Sequence, residues 1–95
     1  MSENSSDQQP VSVTVTLPAD VALHARPAAE LVRAAGKLPV AVTVAANGKQ
    51  ANAKSVLQIL ALGATGGTEL TLWASGPGAD EAVAALAAVV TGLRS

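Results

Sequence analysis

A single hairpin sets the architecture of this chain, in the stretch Val40-Ala41-Val42-Thr43-Val44-Ala45-Ala46-Asn47-Gly48-Lys49. Its apolar, β-branched segment Val40–Val44 predicts a strand. Asn-Gly directly after such a run is the strongest short-range signal for a hairpin turn. The returning strand, about Lys49–Ala53, is short and polar, and a lysine there is typical of a sheet edge because it discourages strand-to-strand aggregation.

Two further segments have the pattern of strands. Val11–Leu17 alternates apolar and polar residues and ends at Pro18 and Asp20. Glu69–Ala74 lies between two glycine-containing loops. Alternation of this kind indicates strands that bury one face only, and such strands favour an antiparallel sheet.

Two amphipathic helices are predicted around these strands. The first begins near Pro27, since proline fits the first turn of a helix, and Gly36 ends it. Its inner face consists of Ala28, Leu31, Val32 and Ala35. The last helix runs from Ala79 to about Arg94, with acidic residues in its first turn and this arginine at its negative end, and it packs on the sheet. Its apolar stripe consists of Val83, Leu86, Ala87 and Val90.

A short central helix is predicted between Ser55 and Gly63. Ser55 with Gln58 three residues later has the form of a capping box. The residues of this helix are apolar nearly all the way round: Val56, Leu57, Ile59, Leu60, Ala61 and Leu62. Two readings stay open, a helix sunk deep in the core or a helix that leaves part of its apolar surface exposed for docking.

The element order is therefore β-α-β-β-α-β-α. It predicts an α+β open-faced sandwich, in which a four-stranded antiparallel sheet is covered on one face by three helices. Residues 11–95 are expected to form one domain behind a disordered polar leader, residues 1–10.

Composition excludes several function classes. Six basic against 7 acidic residues give a net charge of −1, and the chain has no Phe or Tyr, so nucleic-acid binding is not expected. The chain has no cysteine, which fits a reducing compartment. No uninterrupted apolar run approaches the ~18 residues of a membrane span, so no membrane insertion is expected. These features favour a cytoplasmic protein.

The only histidine is the candidate reactive residue. His24 lies in Ala22-Leu23-His24-Ala25-Arg26-Pro27-Ala28-Ala29, at the expected start of the first helix. Free backbone N–H groups and the helix dipole favour an anion there, and Arg26 adds a planar cationic donor suited to phosphate oxygens. The pattern indicates a phosphohistidine site; a plain cap or a partly buried polar histidine is the alternative. Metal binding is not expected, because there is no second histidine or cysteine to share a site.

With these motifs in order, the sequence resembles the histidine-containing phosphocarrier (HPr) family of the bacterial phosphoenolpyruvate-dependent sugar phosphotransferase system. The likeness spans about Val11–Leu93. Leu23-His24-Ala25-Arg26-Pro27-Ala28 is similar to the active-site signature, Asn47-Gly48-Lys49 to the central hairpin, and Lys54-Ser55-Val56 with Leu62-Gly63 to the second-helix motif. The chain departs from the family at Ala22, where glycine is common, so a required positive φ there would strain or reshape the loop.

The resemblance implies that His24 accepts a phosphoryl group on Nδ1 from phosphorylated enzyme I and passes it to an enzyme IIA component. Arg26 and the helix N-terminus (Ala25, Arg26 and Pro27) would bind the phosphate, with no cofactor and no metal. The chain would be a monomeric carrier and not an enzyme. Val56, Leu57 and Leu60 match an apolar docking surface, and Ser55 matches a serine that some relatives have phosphorylated. The alternative is an HPr-like regulatory module that acts by stoichiometric binding, with Ser55 as its control site.

Overall fold

The fold has the predicted element order. A computed structural model describes residues 10–94. Its elements are β1 (Val11–Thr16), α1 (Ala25–Ala35), β2 (Thr43–Ala46), β3 (Lys49–Asn52), α2 (Val56–Ala61), β4 (Glu69–Ala74) and α3 (Ala79–Thr91). The predicted disordered leader, residues 1–10, lies outside the described residues except for Pro10, which is exposed and directly precedes β1.

The four strands form one antiparallel sheet in the order β1-β4-β2-β3. The predicted hairpin joins β2 to β3, and its two turn residues have positive φ, 55° at Asn47 and 75° at Gly48. Positive φ at both positions is the geometry that selects the Asn-Gly pair. The polar strand β3 lies at the sheet edge, as its composition predicts.

One face of the sheet is covered and the other is open, because side chains alternate along each strand. Val13, Leu72, Val44 and Ala51 form a row across the four strands. The last three are buried, and Val13 is half-buried against the core. In the neighbouring row on the open face, three of the four residues are polar, and the hydroxyls of Thr14 and Thr71 are 3.3 Å apart. The helices therefore cover a single face, as predicted.

The predicted helix faces are those that pack inward. In α1, Ala28, Leu31 and Ala35 are buried, and Val32 is half-buried against the core. In α3, Val83, Leu86 and Val90 are buried together with Ala79 and Ala82 on the same side of the helix. Helix α3 contacts β1, β4 and α1, and α2 contacts α1 and the edge strand β3.

Several predicted boundaries were wrong by a few residues. Strand β2 begins at Thr43 and not at Val40, because its ladder with β4 starts at the Thr43–Trp73 pair, one residue before β4 ends. Pro39, which lacks a backbone N–H, precedes that region. Helix α3 ends at Thr91, so Arg94 lies beyond it and not at its negative end. Strands β1 and β3 each end one residue earlier than predicted.

The hairpin also fixes the end of α2. The side-chain amide of Asn47 donates to the carbonyl of Leu62 at 3.0 Å, and Lys49 Nζ donates to the carbonyl of Ala61 at 3.3 Å. These carbonyls belong to the last turn of a helix of six residues, where intrahelical donors run out. A helix this short is not stable alone, so the hairpin helps to hold it.

Asn47→Gly is expected to lower the free energy of unfolding by about 1 kcal/mol, because glycine accepts the positive φ but removes the donor to Leu62. Asn47→Asp is expected to lower it further, since a carboxylate would face the same carbonyl oxygen. Urea denaturation followed by circular dichroism measures both changes. A glycine variant as stable as the parent chain would show that the amide contributes nothing to α2.

Candidate functional site

His24 occupies the N-cap position of α1, directly before its first helical residue. Its backbone is extended (φ −94°, ψ −166°), and its side chain makes no capping hydrogen bond within the described part of the chain. The side chain is exposed, whereas Leu23 before it is buried. The Leu23 N–H donates to the carbonyl of Ala64 at 2.9 Å. A backbone held by this bond thus presents an exposed imidazole to solvent. Within residues 10–94 the side chain neither caps α1 nor is partly buried, so the alternative reading of His24 is not what the structure has.

The backbone around His24 leaves donors for an anion. The first N–H of α1 with an intrahelical acceptor is that of Ala28, which donates to the His24 carbonyl at 2.9 Å. The N–H groups of Ala25 and Arg26 come before it and have no acceptor within the helix. Pro27 is buried and has no N–H, so of the three residues predicted to bind phosphate it can only shape the turn.

The charges at this end of α1 also suit an anion. The first turn, which lies wholly within the described residues, carries no acidic side chain. Arg26 is exposed two residues after His24, so its guanidinium is open to solvent. Together with the positive end of the helix dipole, this arrangement attracts a phosphate. The imidazole, which can act as a nucleophile, and the hydrogen-bond donors that would bind a phosphate thus lie at the same end of α1.

Ala22 does not strain the loop before His24. Within residues 10–94, Asn47 is the only residue other than glycine with a positive φ. The His24 N–H instead donates to the Ala22 carbonyl at 2.8 Å, which closes a tight local turn. The loop therefore does not need glycine at this position.

Helix α2 divides its apolar residues between the core and solvent. Ile59 is fully buried, whereas Leu57 is 79% exposed and Val56 is 36% exposed. Leu60 is half-buried against the core. Both readings of the sequence are therefore partly right: one side of α2 sinks into the core, and the other leaves an exposed apolar surface. We call Val56, Leu57 and Leu60 the α2 patch; α2 packs against α1, the helix that His24 begins.

Ser55 caps α2 as predicted, but only half of the capping box forms. Its Oγ accepts from the N–H of Gln58 at 3.2 Å. The Gln58 side chain does not return to Ser55; its Oε1 accepts from the N–H of Asn52 at 2.8 Å. Asn52 also accepts the Lys54 N–H on Oδ1 at 2.9 Å. Sequence reasoning missed Asn52, whose position in β3 is the only signal that it could reach α2.

No group of three His, Asp or Glu side chains in residues 10–94 is placed to hold a metal ion. Over the same residues, no helix has both the length and the apolar character that a membrane span requires.

Comparison with known proteins identifies the family. Residues 11–91 match the PTS-HPr family model, described as the PTS HPr component phosphorylation site. The chain is 49% identical over 69 residues to Phosphocarrier protein HPr of Streptomyces coelicolor, which covers 72% of this chain and 74% of that protein. It is 43% identical over 76 residues to Phosphocarrier protein HPr of Vibrio cholerae, which covers 80% of this chain and 89% of that protein. The crystal structure of a Phosphocarrier protein HPr from Bacillus anthracis has a TM-score of 0.80 at 35% identity, covering 86% of this chain and 98% of that chain. The chain therefore belongs to the HPr family of the phosphotransferase system.

Proposed function

We propose that His24 accepts a phosphoryl group from phosphorylated enzyme I and transfers it to enzyme IIA components. As a member of the HPr family, the chain is a phosphocarrier of the phosphotransferase system. The observation that supports His24 as the carrier residue is its exposed imidazole at the start of α1, which makes no capping hydrogen bond within the described residues and lies beside N–H groups without an intrahelical acceptor. The two half-reactions make the chain a relay that turns over only with its partners, and not an enzyme.

The chemistry needs only the neutral imidazole. With its proton on Nε2, the ring attacks phosphorus through the Nδ1 lone pair; the new N–P bond forms as the bond to enzyme I breaks, and no proton has to leave. In the second half-reaction the N–P bond breaks as a nucleophile of enzyme IIA bonds to phosphorus, and the neutral imidazole is regenerated. The protein's part is to place the ring and to stabilise charge on the phosphoryl oxygens. Arg26 and the N–H groups of Ala25 and Arg26 supply that stabilisation without a metal or cofactor.

Phosphorylation with enzyme I tests this assignment directly. The chain is incubated with enzyme I and radiolabelled phosphoenolpyruvate, and the phosphate bond is characterised by its acid lability and by mass spectrometry of peptides. We expect one acid-labile phosphate on His24, absent when enzyme I is omitted. Label on any other residue, or no label with active enzyme I, contradicts the proposal.

The α2 patch is the proposed docking surface for both partners. It is apolar, exposed and carried by the helix that packs against α1, so a partner seated on it lies next to the helix that His24 begins. Contacts of this kind are suited to a carrier that must bind several partners in turn. Family membership favours this role over the alternative of a purely stoichiometric interaction module.

We also propose that residues 11–95 act as one monomeric domain in the cytoplasm. The absence of cysteine fits a reducing compartment, and the family match covers residues 11–91. Sedimentation equilibrium should give the mass of a single chain across the micromolar range; a concentration-dependent mass would contradict the monomer.

Ser55 is a proposed regulatory phosphorylation site. Its Oγ caps α2, directly before Val56 and Leu57 of the α2 patch. A phosphate there suits a helix N-terminus but adds negative charge beside an apolar surface. Phosphorylation should therefore weaken partner binding more than it weakens the fold.

Ser55→Asp is expected to keep the melting temperature of the parent chain, because aspartate caps helices as well as serine does. It should weaken binding to enzyme I by about tenfold, or roughly 1.4 kcal/mol, through the charge beside Leu57. Calorimetric titration measures the affinity. Ser55→Ala separates the two effects, since it should lose about 1 kcal/mol of stability yet bind normally. Equal binding by the aspartate and alanine variants would contradict the regulatory role.

A further inference from the structure

The loop that delivers His24 is attached to a second loop. The β1–α1 loop (residues 17–24) lies along the 64–68 turn, which precedes β4. The Leu17 N–H donates to the carbonyl of Thr68 at 2.9 Å, and the Gly67 N–H donates back to Leu17 at 3.1 Å. At the other end, the Leu23 N–H donates to the carbonyl of Ala64 at 2.9 Å. Both ends of the β1–α1 loop are thus bonded to the backbone of the 64–68 turn.

Between these bonds the two loops touch at Gly66. A Cβ atom placed on Gly66 would overlap the carbonyl oxygen of Ala19 and would lie 3.0 Å from the carbonyl oxygen of Pro18. Backbone atoms cannot move aside as the end of a flexible side chain can. Any residue larger than glycine at position 66 must therefore displace the β1–α1 loop or the 64–68 turn.

The 64–68 turn has its own internal bonds. The Thr68 N–H donates to the Thr65 carbonyl at 2.9 Å, and the Thr65 N–H donates to Thr68 Oγ1 at 3.1 Å. These bonds close the turn on both sides of Gly66. The β1–α1 loop has internal bonds as well, from the Val21 N–H to the Pro18 carbonyl at 3.0 Å and from the His24 N–H to the Ala22 carbonyl at 2.8 Å. Strain introduced at Gly66, which meets Ala19 inside the first of these turns, should therefore shift the β1–α1 loop as a unit.

We propose that Gly66 is a positioning residue for phosphoryl transfer, because its missing side chain lets the 64–68 turn hold the β1–α1 loop where His24 meets an incoming phosphoryl group. The proposal rests on the role of His24 proposed above. Leu23 is buried and hydrogen-bonded to Ala64, so a displacement of the 64–68 turn also displaces the next residue, His24. Phosphoryl transfer depends steeply on such placement, and a shift of about 1 Å can cost a factor of about 100 in rate.

Gly66→Ala is the test, with Gly76→Ala as the matched control. Gly76 has a φ of 94° and no atom within 4 Å of a built Cβ, so alanine there adds backbone strain without pressing on the β1–α1 loop. Initial rates of phosphorylation by enzyme I give kcat and KM. Amide hydrogen exchange at Leu23 reports the bond to Ala64.

For Gly66→Ala we expect kcat to fall by about 10-fold to 100-fold, with KM within about twofold of the parent value, because the α2 patch is unchanged. The label should remain on His24, and the Leu23 amide should exchange faster. Gly76→Ala should keep the parent kcat even where its melting temperature falls. A folded Gly66→Ala with the parent kcat, or an equal loss of kcat in both variants, overturns the proposal.

Thr68→Val keeps the proposal testable if Gly66→Ala does not fold. Valine has nearly the shape of threonine but cannot accept the Thr65 N–H, so it loosens the turn without a clash. We expect a smaller loss of kcat with unchanged KM; no loss would then overturn the proposal. Normal phosphorylation of a His24→Ala variant would instead show that the proposed function itself is wrong.

Discussion

His24→Ala is expected to accept no phosphoryl group from phosphorylated enzyme I, while its free energy of unfolding stays within about 0.5 kcal/mol of the parent value. The chemical loss is complete because the chain has no second imidazole to form the N–P bond. The stability is kept because the side chain is exposed and makes no capping bond within the described residues. Label transfer from phosphoenolpyruvate and urea denaturation measure the two properties separately.

His24→Asn sharpens the same experiment. Asparagine is among the preferred residues at the position before a helix, where its side chain accepts a backbone N–H, and histidine is not. The free energy of unfolding should therefore rise by about 0.5–1 kcal/mol while transfer is lost. Histidine at this position makes the fold less stable than asparagine would, and such a loss of stability is expected where a residue is kept for function. A stable His24→Asn variant that still carried acid-labile phosphate would contradict the assignment.

The fold was largely predictable because its signals are local. Alternation in Val11–Leu17, the Asn47-Gly48 turn and the cap at Ser55 each depend on neighbours within a few residues, and all three occur in the structure. The start of β2 was not predictable from such signals. The segment that begins at Val40 has the composition of a strand. The length of the β2–β4 ladder depends on where β4 ends, which is a tertiary property.

The candidate site was predictable in part for the same reason. The place of His24 follows from local helix-start signals. The residues that hold His24 and α2 in place cannot be predicted from local signals. Gly66 contacts Ala19, and Asn47 contacts Leu62, only after distant segments pack together. In the sequence, Gly66 predicts only a loop. Gly66 is required because the backbone of Ala19 lies against it, whereas Gly67 is required for its positive φ of 85°, and no local signal distinguishes the two reasons.

Leu57→Glu is expected to weaken binding to both enzyme I and enzyme IIA by at least a hundredfold without destabilising the fold. Leu57 is 79% exposed, so it contributes little to the core. Covered by a partner, a leucine side chain contributes about 1.5–3 kcal/mol, and a carboxylate in the same place must also lose its hydration. The measured outcome should be a higher Kd for both partners and a higher KM for phosphorylation.

Two matched variants separate loss of apolar contact from added charge. Leu57→Gln removes most of the apolar contact without charge, so its effect should be about tenfold to a hundredfold. Gln58→Glu adds the charge one residue away, and a carboxylate can still accept the Asn52 N–H as Gln58 does at 2.8 Å. If Gln58→Glu weakened binding as much as Leu57→Glu, charge alone would explain both, and the α2 patch would not be the docking surface. A Leu57→Glu chain that was phosphorylated with the parent KM would lead to the same conclusion, because His24 would then meet its partners without the exposed side of α2.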